Sequence, residues 1–250
     1  MVMVMVMAMA TGMAMITPTN KMVMIDCHNH ILFEVDDGSK SLQMSLDMLK
    51  LSASQGVSTI VLTPHINASE SKVSRETHFD QYEILKKCAK DIPIELILGS
   101  ELYIGQRLPK INLDSLVYGP KKTLLIEFSP FIETPIIDHT FNLLKKGYQV
   151  IVAHVERYNY LSLNDINELK QMGAILQVNT SSVLKTGHRM HVKKGLEYIK
   201  KNLIDLVSTD AHNLLRRPPN LLKARKALIK LVGIDKALSL TGDYAFKNIL

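Results

Sequence analysis

Cysteine, tryptophan and aromatic residues in general are scarce in this chain of 250 residues. Its two cysteines exclude a disulfide framework and a cysteine-rich zinc module, and they favour a reducing, cytoplasmic setting. The absence of tryptophan and an aromatic content of 6% argue against a stacking surface for single-stranded nucleic acid. The net charge of +6 favours anionic partners but is too small to name one. With 46% hydrophobic and 22% charged residues, the chain has an ordinary globular composition, which excludes wholesale disorder.

The first 24 residues are unlike the rest, because they hold nine of the thirteen methionines. A signal peptide would have positive charge before its apolar run, and this stretch has none. As a membrane span it is interrupted at Thr11-Gly12 and ended by Pro18, so we expect no insertion into a membrane. We interpret residues 1–23 as a non-native or disordered leader, with Met24 as the natural start. Residues 24–250 are then predicted to form a single domain, since no linker rich in proline or serine divides them.

From residue 23 onward, short apolar runs alternate with longer amphipathic segments. The apolar runs predict seven strands, at 23–27, 58–62, 94–98, 123–127, 149–153, 175–179 and 204–208. The amphipathic segments predict helices at 41–55, 76–91, 135–146, 163–172, 189–201, 220–232 and 235–240. Such alternation is typical of a parallel sheet with crossover connections. We therefore predict an α/β fold, a closed or nearly closed seven-stranded β/α barrel, with a doubly wound open sheet as the alternative.

Candidate metal ligands follow nearly every predicted strand. In a parallel β/α barrel the carboxyl ends of the strands share one face, where active sites are built. Residues two apart in an extended strand point to the same side, so His28 and His30 can bind one ion, and Asp210 and His212 repeat this spacing. Nine candidates collect at these ends: His28, His30, Asp37, His65, Glu101, Glu127, His154, Asp210 and His212.

Nine ligands exceed the three or four that one catalytic zinc ion takes from a protein. Imidazole together with carboxylate suits manganese, iron or zinc, and clusters of two or three ions are typical of phosphoester hydrolysis. Beside such a centre, Arg157 and Arg217 become candidate phosphate-binding side chains.

Each feature alone has a structural explanation. An isolated His-x-His pair is more often structural, Asp37 suits a turn before Gly38, and Glu127 suits a paired acid in the core. Taken alone, Arg157 and Arg217 would be surface charges. Candidate ligands at five successive strand ends, taken together, favour the metal centre.

Other phosphate chemistries lack their motifs in this sequence. A cysteine phosphatase needs arginine six positions after its cysteine, but Phe33 follows Cys27 and Ile94 follows Cys88 at that distance. There is no Gly-Lys dipeptide for a nucleotide-binding loop and no Gly-x-Ser-x-Gly turn for a serine nucleophile. Mechanisms that use a cysteine nucleophile, a bound nucleotide or a serine nucleophile are therefore disfavoured.

The order of these motifs resembles the polymerase-and-histidinol-phosphatase (PHP) superfamily. Within it, the sequence is most similar to the bacterial capsule-type, manganese-dependent protein-tyrosine phosphatases of the CpsB/CapC family. The resemblance rests on Asp26-Cys27-His28-Asn29-His30, Asp36-Asp37-Gly38, Thr63-Pro64-His65, Gly99-Ser100-Glu101, Leu125-Ile126-Glu127-Phe128, His154-Val155-Glu156-Arg157 and Ser208-Thr209-Asp210-Ala211-His212-Asn213. Two positions depart from the family: Ile66 stands where a second histidine is common, and Val155 where proline is usual.

The resemblance implies a distorted seven-stranded β/α barrel that carries up to three divalent ions at its strand ends, manganese first and iron or zinc as alternatives. The first ion would be held by His28, His30, Asp210 and a bridging Glu101. The second would be held by Glu101, Glu127 and His154, and the third by Asp37, His65 and His212. Arg157 and Arg217 would match the phosphate-facing arginines of the family.

By the same resemblance, a metal-activated hydroxide would hydrolyse phosphotyrosine on a protein. The expected partner is an autophosphorylated bacterial tyrosine kinase in capsule or exopolysaccharide biosynthesis, and no nucleic acid is expected to bind. Two alternatives stay open: another phosphoesterase of the superfamily, such as a histidinol-phosphate phosphatase, and a non-catalytic binding module. Loss of several ligands would mark the binding module, whereas all nine positions are filled here.

Overall fold

A computed structural model describes residues 23–71 and 73–250, so the predicted leader, except for Val23, lies outside the described residues. Short strands alternate with helices along the chain. The strands are β1 (Ile25–Asp26), β2 (Thr59–Leu62), β3 (His65–Ile66), β4 (Glu95–Leu98), β5 (Glu101–Tyr103), β6 (Thr123–Glu127), β7 (Gln149–Val152), β8 (Ile175–Asn179) and β9 (Leu206–Ser208). The helices are α1 (Leu42–Ser54), α2 (Arg75–Cys88), α3 (Ile136–Lys145), α4 (Leu163–Gln171), α5 (Thr180–Val183), α6 (Arg189–Lys200), α7 (Leu221–Val232), α8 (Ile234–Leu238) and α9 (Tyr244–Asn248).

The strands form two sheets, and all pairs between these strands are parallel. One sheet has the order β1-β2-β4 and the other the order β3-β5-β6-β7-β8-β9. A parallel bridge between Asn29 and Ala211 links the segments that follow β1 and β9. Beside it, the backbone N–H of Asp210 donates to the carbonyl of His28 at 2.8 Å. The predicted α/β class with parallel strands is confirmed.

The predicted seven-stranded barrel is not confirmed as one closed sheet, because the described residues form nine strands in two sheets. Two of the predicted strands continue past a break. The run at 58–62 resumes as β3 after Thr63-Pro64, since proline has no N–H to donate to a ladder. The run at 94–98 resumes as β5 after Gly99-Ser100. The resumed strands β3 and β5 pair with each other and belong to the second sheet.

All seven predicted helices are confirmed, and the short α5 and α9 are additional. Their ends follow the chemistry of helix caps. The side chain of Ser41 accepts a hydrogen bond from the backbone N–H of Met44 at 3.2 Å at the start of α1. Gly56, in the left-handed region at φ +86°, ends the same helix. Within the described residues, no helix combines the length and the apolar composition needed to cross a bilayer.

Side chains along the strands alternate between two apolar clusters, as expected of strands covered on both faces. On β6, Leu124 and Ile126 belong to an outer cluster that includes Leu143 of α3. Leu125 belongs to an inner cluster together with Cys27. These clusters fill the space within and around the strands with apolar side chains, and the polar side chains collect beyond the strand ends.

The break at Gly99 has no room for a side chain. A Cβ atom there would lie 2.8 Å from Cδ1 of Tyr118 and 3.0 Å from Cγ1 of Val61, and both of these residues are buried. We predict that Gly99→Ala lowers the free energy of unfolding by about 1–3 kcal/mol, the usual cost of overpacking. Gly105→Ala is the matched control, because the nearest atom to its Cβ would be 3.9 Å away. Urea unfolding of both variants measures the difference, and equal stability would contradict the prediction.

Candidate metal centre

The structure brings all nine predicted ligands together in one cluster. Seven of them line a cavity of about 440 Å³, and His28 and His30 are buried beside it. Their ligand atoms form four overlapping groups, and within each group the atoms lie within 4.8 Å of one another. The groups are His28, His30 and Asp210; His28, Glu101 and His154; His65, Glu101 and Glu127; and His30, Asp37, His65 and His212.

These groups differ in part from the ligand sets that the resemblance implies. His154 groups with His28 and Glu101, and His65 takes the place expected for His154 beside Glu127. His30 joins the group of Asp37 and His212. The assignment of ligands to individual ions therefore stays a prediction.

The carboxylate of Glu101 lies at the middle of the cluster. Its Oε1 is 3.0 Å from Nε2 of His28 and 3.0 Å from Nε2 of His154. Its Oε2 is 3.1 Å from Nε2 of His30 and 3.2 Å from Nδ1 of His65. Burial favours the neutral acid, yet the charges of His28 and His65 and the hydrogen bond with His154 hold the pKa of Glu101 well below its ordinary value. Glu101 is therefore a carboxylate that all four imidazoles share.

Three imidazole nitrogens in this cluster are buried and make no hydrogen bond: Nε2 of His28, Nε2 of His30 and Nδ1 of His65. Each nevertheless lies close to carboxylate oxygens, in a direction unsuited to a hydrogen bond. Nitrogens that are buried, without a hydrogen bond and close to shared carboxylates are the donor set of a metal site. The residues present therefore fit divalent ions.

The open side of the cluster is formed by Asp37, His65 and His212. Oδ1 of Asp37 is 3.2 Å from Nε2 of His212 and 3.6 Å from Nε2 of His65. Burial acts to raise the pKa of Asp37, but the hydrogen bond and charge of His212 lower it to about 2. Asp37 is thus an anion near neutral pH, in reach of both solvent and the imidazoles.

Two predicted ligands have strained backbone. His154 has φ +33° and Asp210 has φ +52°, in the left-handed region that residues with a Cβ atom seldom adopt. Such strain persists where surrounding contacts fix it, and it concentrates at functional sites. For His154 the fixing contact is its backbone N–H, which donates to Oε1 of Gln177 at 2.8 Å. Burial and the charge of Arg157 lower the pKa of His154 to about 3, so its imidazole is in the neutral form that binds metals.

Two further residues of the site, Gln177 and Asn179, were missed by the sequence analysis. Both are buried on β8, which contains no predicted ligand. Oε1 of Gln177 lies 3.1 Å from Nδ1 of His28, and its Nε2 donates to Asn179 at 2.8 Å. Asn179 in turn donates to Oδ2 of Asp210 at 2.6 Å. The signal that could have found them is the polar pair two residues apart in an otherwise apolar strand.

Asp36 supports the cluster from the opposite side. Its Oδ2 is 2.8 Å from Nδ1 of His30 and accepts the backbone N–H of His65 at 3.1 Å. Its Oδ1 accepts the backbone N–H of Gly38 at 2.8 Å. Gly38 packs so closely that a Cβ atom would lie 2.1 Å from the carbonyl oxygen of His30. Asp36 thereby orients the ring of His30 with its Nε2 toward Glu101.

Arg157 and Arg217, the two predicted phosphate-binding residues, line the same cavity. Nη2 of Arg157 is 2.7 Å from Oδ2 of Asp210, and Arg217 forms an ion pair with the same oxygen. Nη1 of Arg217 also lies 2.9 Å from Nε2 of His212. Burial acts to raise the pKa of Asp210, but the charges of Arg217 and Arg157 hold it well below its ordinary value. Both guanidinium groups therefore face the predicted ligands, and neither is a remote surface charge.

Residues 24–249 match the sequence model of a family described as capsular polysaccharide synthesis, CpsB/CapC. The chain belongs to the CpsB/CapC family. It is 35% identical over 228 residues to the tyrosine-protein phosphatase CpsB of Streptococcus agalactiae, a match that covers 86% of this chain and 93% of that protein. It is 33% identical over 242 residues to CpsB of Streptococcus pneumoniae, covering 91% of this chain and 98% of the relative.

Solved structures agree with this CpsB/CapC assignment. One match comes from a study of YwqE from Bacillus subtilis and CpsB from Streptococcus pneumoniae, described as metal-dependent tyrosine phosphatases. The match has a TM-score of 0.76 and 28% sequence identity, and it covers 86% of this chain and 90% of that chain. The two departures from the family's motifs remove no candidate ligand: Val155 is buried, and Ile66 is half-buried against the outer apolar cluster.

Removal of Gln177 should weaken metal binding without unfolding the protein. Gln177→Leu keeps the volume but leaves Nδ1 of His28 and the backbone N–H of His154 without their partner. Loss of such a supporting contact typically costs about 10–100-fold in metal affinity. Gln149→Leu is the matched control, because Gln149 contacts Thr123 and Asn248 at the other end of the strands. Titration of both apoproteins with Mn²⁺ tests this, and equal affinities would show that Gln177 does not orient the ligands.

Proposed function

We propose that this member of the CpsB/CapC family is a metal-dependent protein-tyrosine phosphatase that acts in the synthesis of capsule or exopolysaccharide. One observation carries the proposal: in a chain of this family, nine candidate imidazole and carboxylate ligands form one cluster, and seven of them line a cavity together with two arginines. The relatives are named tyrosine-protein phosphatases, and the match to them extends over most of both chains. The filled ligand positions favour an enzyme over a binding module.

Manganese is the metal we expect, in up to three sites, two of which would share Glu101. Bound divalent ions supply Lewis acidity, which lowers the pKa of water and neutralises phosphate charge. The chain's own part is to hold the ions with His28, His30, Asp37, His65, Glu101, Glu127, His154, Asp210 and His212. Gln177 and Asp36 keep two of the imidazoles correctly oriented through Nδ1 of each ring.

Arg157 and Arg217 are the residues that we assign to the phosphate. Their planar guanidinium groups can donate two parallel hydrogen bonds to phosphate oxygens, which lysine cannot do. As donors fixed at the place where charge develops on those oxygens, they would stabilise the transition state. Their side chains are 31% and 38% exposed, which leaves them accessible to a substrate that enters the cavity.

Neither cysteine fits a role as nucleophile. Cys27 is buried in the inner apolar cluster, where burial raises the pKa of its thiol, so it is not a thiolate near neutral pH. Cys88 is exposed at the end of α2 and does not line the cavity. These observations support direct hydrolysis without a phosphorylated protein intermediate.

We extend the proposal to the setting of the enzyme. Its substrate is a phosphotyrosine protein, for which an autophosphorylated bacterial tyrosine kinase is the expected partner, in the cytoplasm. Residues 24–250 act as a single domain, which the family match over 24–249 supports. A distorted barrel with seven strand positions describes the arrangement if β2 with β3, and β4 with β5, each count once. The bridge between Asn29 and Ala211 supports this description.

Metal removal should abolish activity. We expect chelation to stop hydrolysis of a phosphotyrosine peptide, because bound divalent ions would supply the Lewis acidity that lowers the pKa of water and neutralises phosphate charge. Addition of Mn²⁺ should restore it, and iron and zinc should be compared at equal occupancy. Histidinol phosphate assayed in parallel distinguishes the nearest alternative activity. Full activity in protein shown by elemental analysis to be free of metal would refute the proposal.

Substitution of the arginines should separate phosphate binding from metal binding. Arg157→Ala and Arg217→Ala should each lower kcat/KM by about 10²–10³, roughly 2.7–4 kcal/mol, as for loss of one oxyanion donor. Bound metal should stay nearly unchanged, because Asn179 still donates to Asp210. Lysine at either position should restore only part of the lost kcat/KM, since it supplies positive charge without the planar guanidinium group and its paired N–H donors.

Two comparisons complete that experiment. Arg216→Ala is the matched control, an exposed arginine next to Arg217 that does not line the cavity. Asp210→Ala and Glu101→Ala should lose metal and activity together. Rates near wild type for both arginine variants would remove Arg157 and Arg217 from the mechanism and leave the metal centre standing.

A further inference from the structure

The loop between β6 and α3, residues 128–135, exposes a large apolar side chain at the mouth of the cavity. Phe131 is 94% exposed, and its neighbour Ile132 is 61% exposed. Exposure of an aromatic ring to water is unfavourable, and an exposed aromatic beside a functional cavity is typical of a binding surface. The metal centre described above gives this ring no task.

The loop is held firmly, so the position of Phe131 is a property of the fold. Oγ of Ser129 accepts the backbone N–H groups of Phe131 at 3.2 Å and Ile132 at 3.0 Å. The hydroxyl of Tyr160 donates to the carbonyl of Ser129 at 2.9 Å. Nε2 of Gln106 donates to the carbonyl of Glu133 at 2.7 Å. These bonds fix the backbone on both sides of Phe131 and leave its ring free.

Phe131 lines the same cavity as the two arginines and the predicted ligands. Glu127, at the end of β6, lies four residues earlier and lines it too. One short segment therefore supplies two parts of the cavity: the carboxylate of Glu127 among the predicted ligands, and the exposed aromatic ring of Phe131 at the outer edge, or rim. Across the described cavity, the rim otherwise offers polar or small side chains such as Ser69 and Ala68, and the aromatic ring of Tyr103.

We propose that Phe131 is a specificity-determining residue that packs against the phenyl ring of the substrate's phosphotyrosine. This inference rests on the proposed function and names what distinguishes its substrate. When the phosphate lies at the arginines, the ring attached to it extends toward the rim. Aromatic pairs in offset or edge-to-face geometry are favourable beyond the area they bury. A phosphoserine side chain has no ring to place there, so it gains nothing from Phe131.

The test compares two phosphopeptides of one sequence, carrying phosphotyrosine or phosphoserine. Phe131→Ala should lower kcat/KM for the phosphotyrosine peptide by about tenfold, mainly through KM, and leave the phosphoserine rate unchanged. Phe131→Tyr should retain the wild-type preference, because it keeps the ring. Phe246→Ala is the matched control, an exposed phenylalanine on α9 that does not line the cavity. Bound metal should be the same in all variants.

A binding measurement keeps the inference independent of turnover. Peptides with non-hydrolysable phosphonate analogues of phosphotyrosine and phosphoserine, titrated into metal-loaded protein, should show the same tenfold loss for Phe131→Ala with the aryl analogue only. Equal affinities of wild type and Phe131→Ala for the aryl analogue, or equal losses for both analogues, would overturn the role of Phe131. A wild-type protein that binds the aryl analogue through Phe131 but hydrolyses no phosphomonoester would instead overturn the proposed function.

Discussion

The buried carboxylate of Glu101, which is shared by four imidazoles, is the interaction on which the arrangement of the strand ends depends. A charge removed from water is tolerated only when close partners of opposite charge or well-placed donors compensate it. The four imidazoles come from segments after β1, β2 and β7, so the condition constrains most of the chain at once. The strand order, the loop that carries Asp36 and the strand β8 that carries Gln177 all serve the same compensation.

The strand breaks are part of this constraint. His65 and Glu101 are register partners in the pair β3–β5, which places a ligand at the start of each resumed strand. A ladder that continued without interruption from β2 and β4 would keep the alternation of side chains, and with it the apolar pattern of the strands. Pro64 and the closely packed Gly99 interrupt the apolar pattern. The polar ligands His65 and Glu101 follow these interruptions. The departure from a regular barrel and the assembly of the site therefore have one cause.

The residues of the cluster could be picked out from the sequence because their signal is local and chemical: ionisable residues at fixed spacing after apolar runs. Gln177 and Asn179 carry no charge, and their effect depends on His28 and Asp210, which are far away in the chain. A single sequence shows no such pairing. The division into two sheets escaped prediction for a similar reason, since Thr63-Pro64 and Gly99-Ser100 read as strand ends and not as interruptions. The fixed Phe131 loop depends on Tyr160 and Gln106, again through contacts between distant segments.

Asp210 connects the two halves of the site. Its Oδ1 lies 3.6 Å from Nε2 of His28 and 3.6 Å from Nε2 of His30. Its Oδ2 accepts hydrogen bonds from Arg157 and Asn179 and forms an ion pair with Arg217. One carboxylate thus faces predicted ligands with one oxygen and predicted phosphate donors with the other. Because Coulomb attraction between close charges in a buried site is strong, an ion bound on the Oδ1 side would weaken the attraction between Oδ2 and the guanidinium groups. Their N–H groups would then gain more from a phosphate anion, so Asp210 would couple metal binding in the cluster to phosphate binding at the arginines.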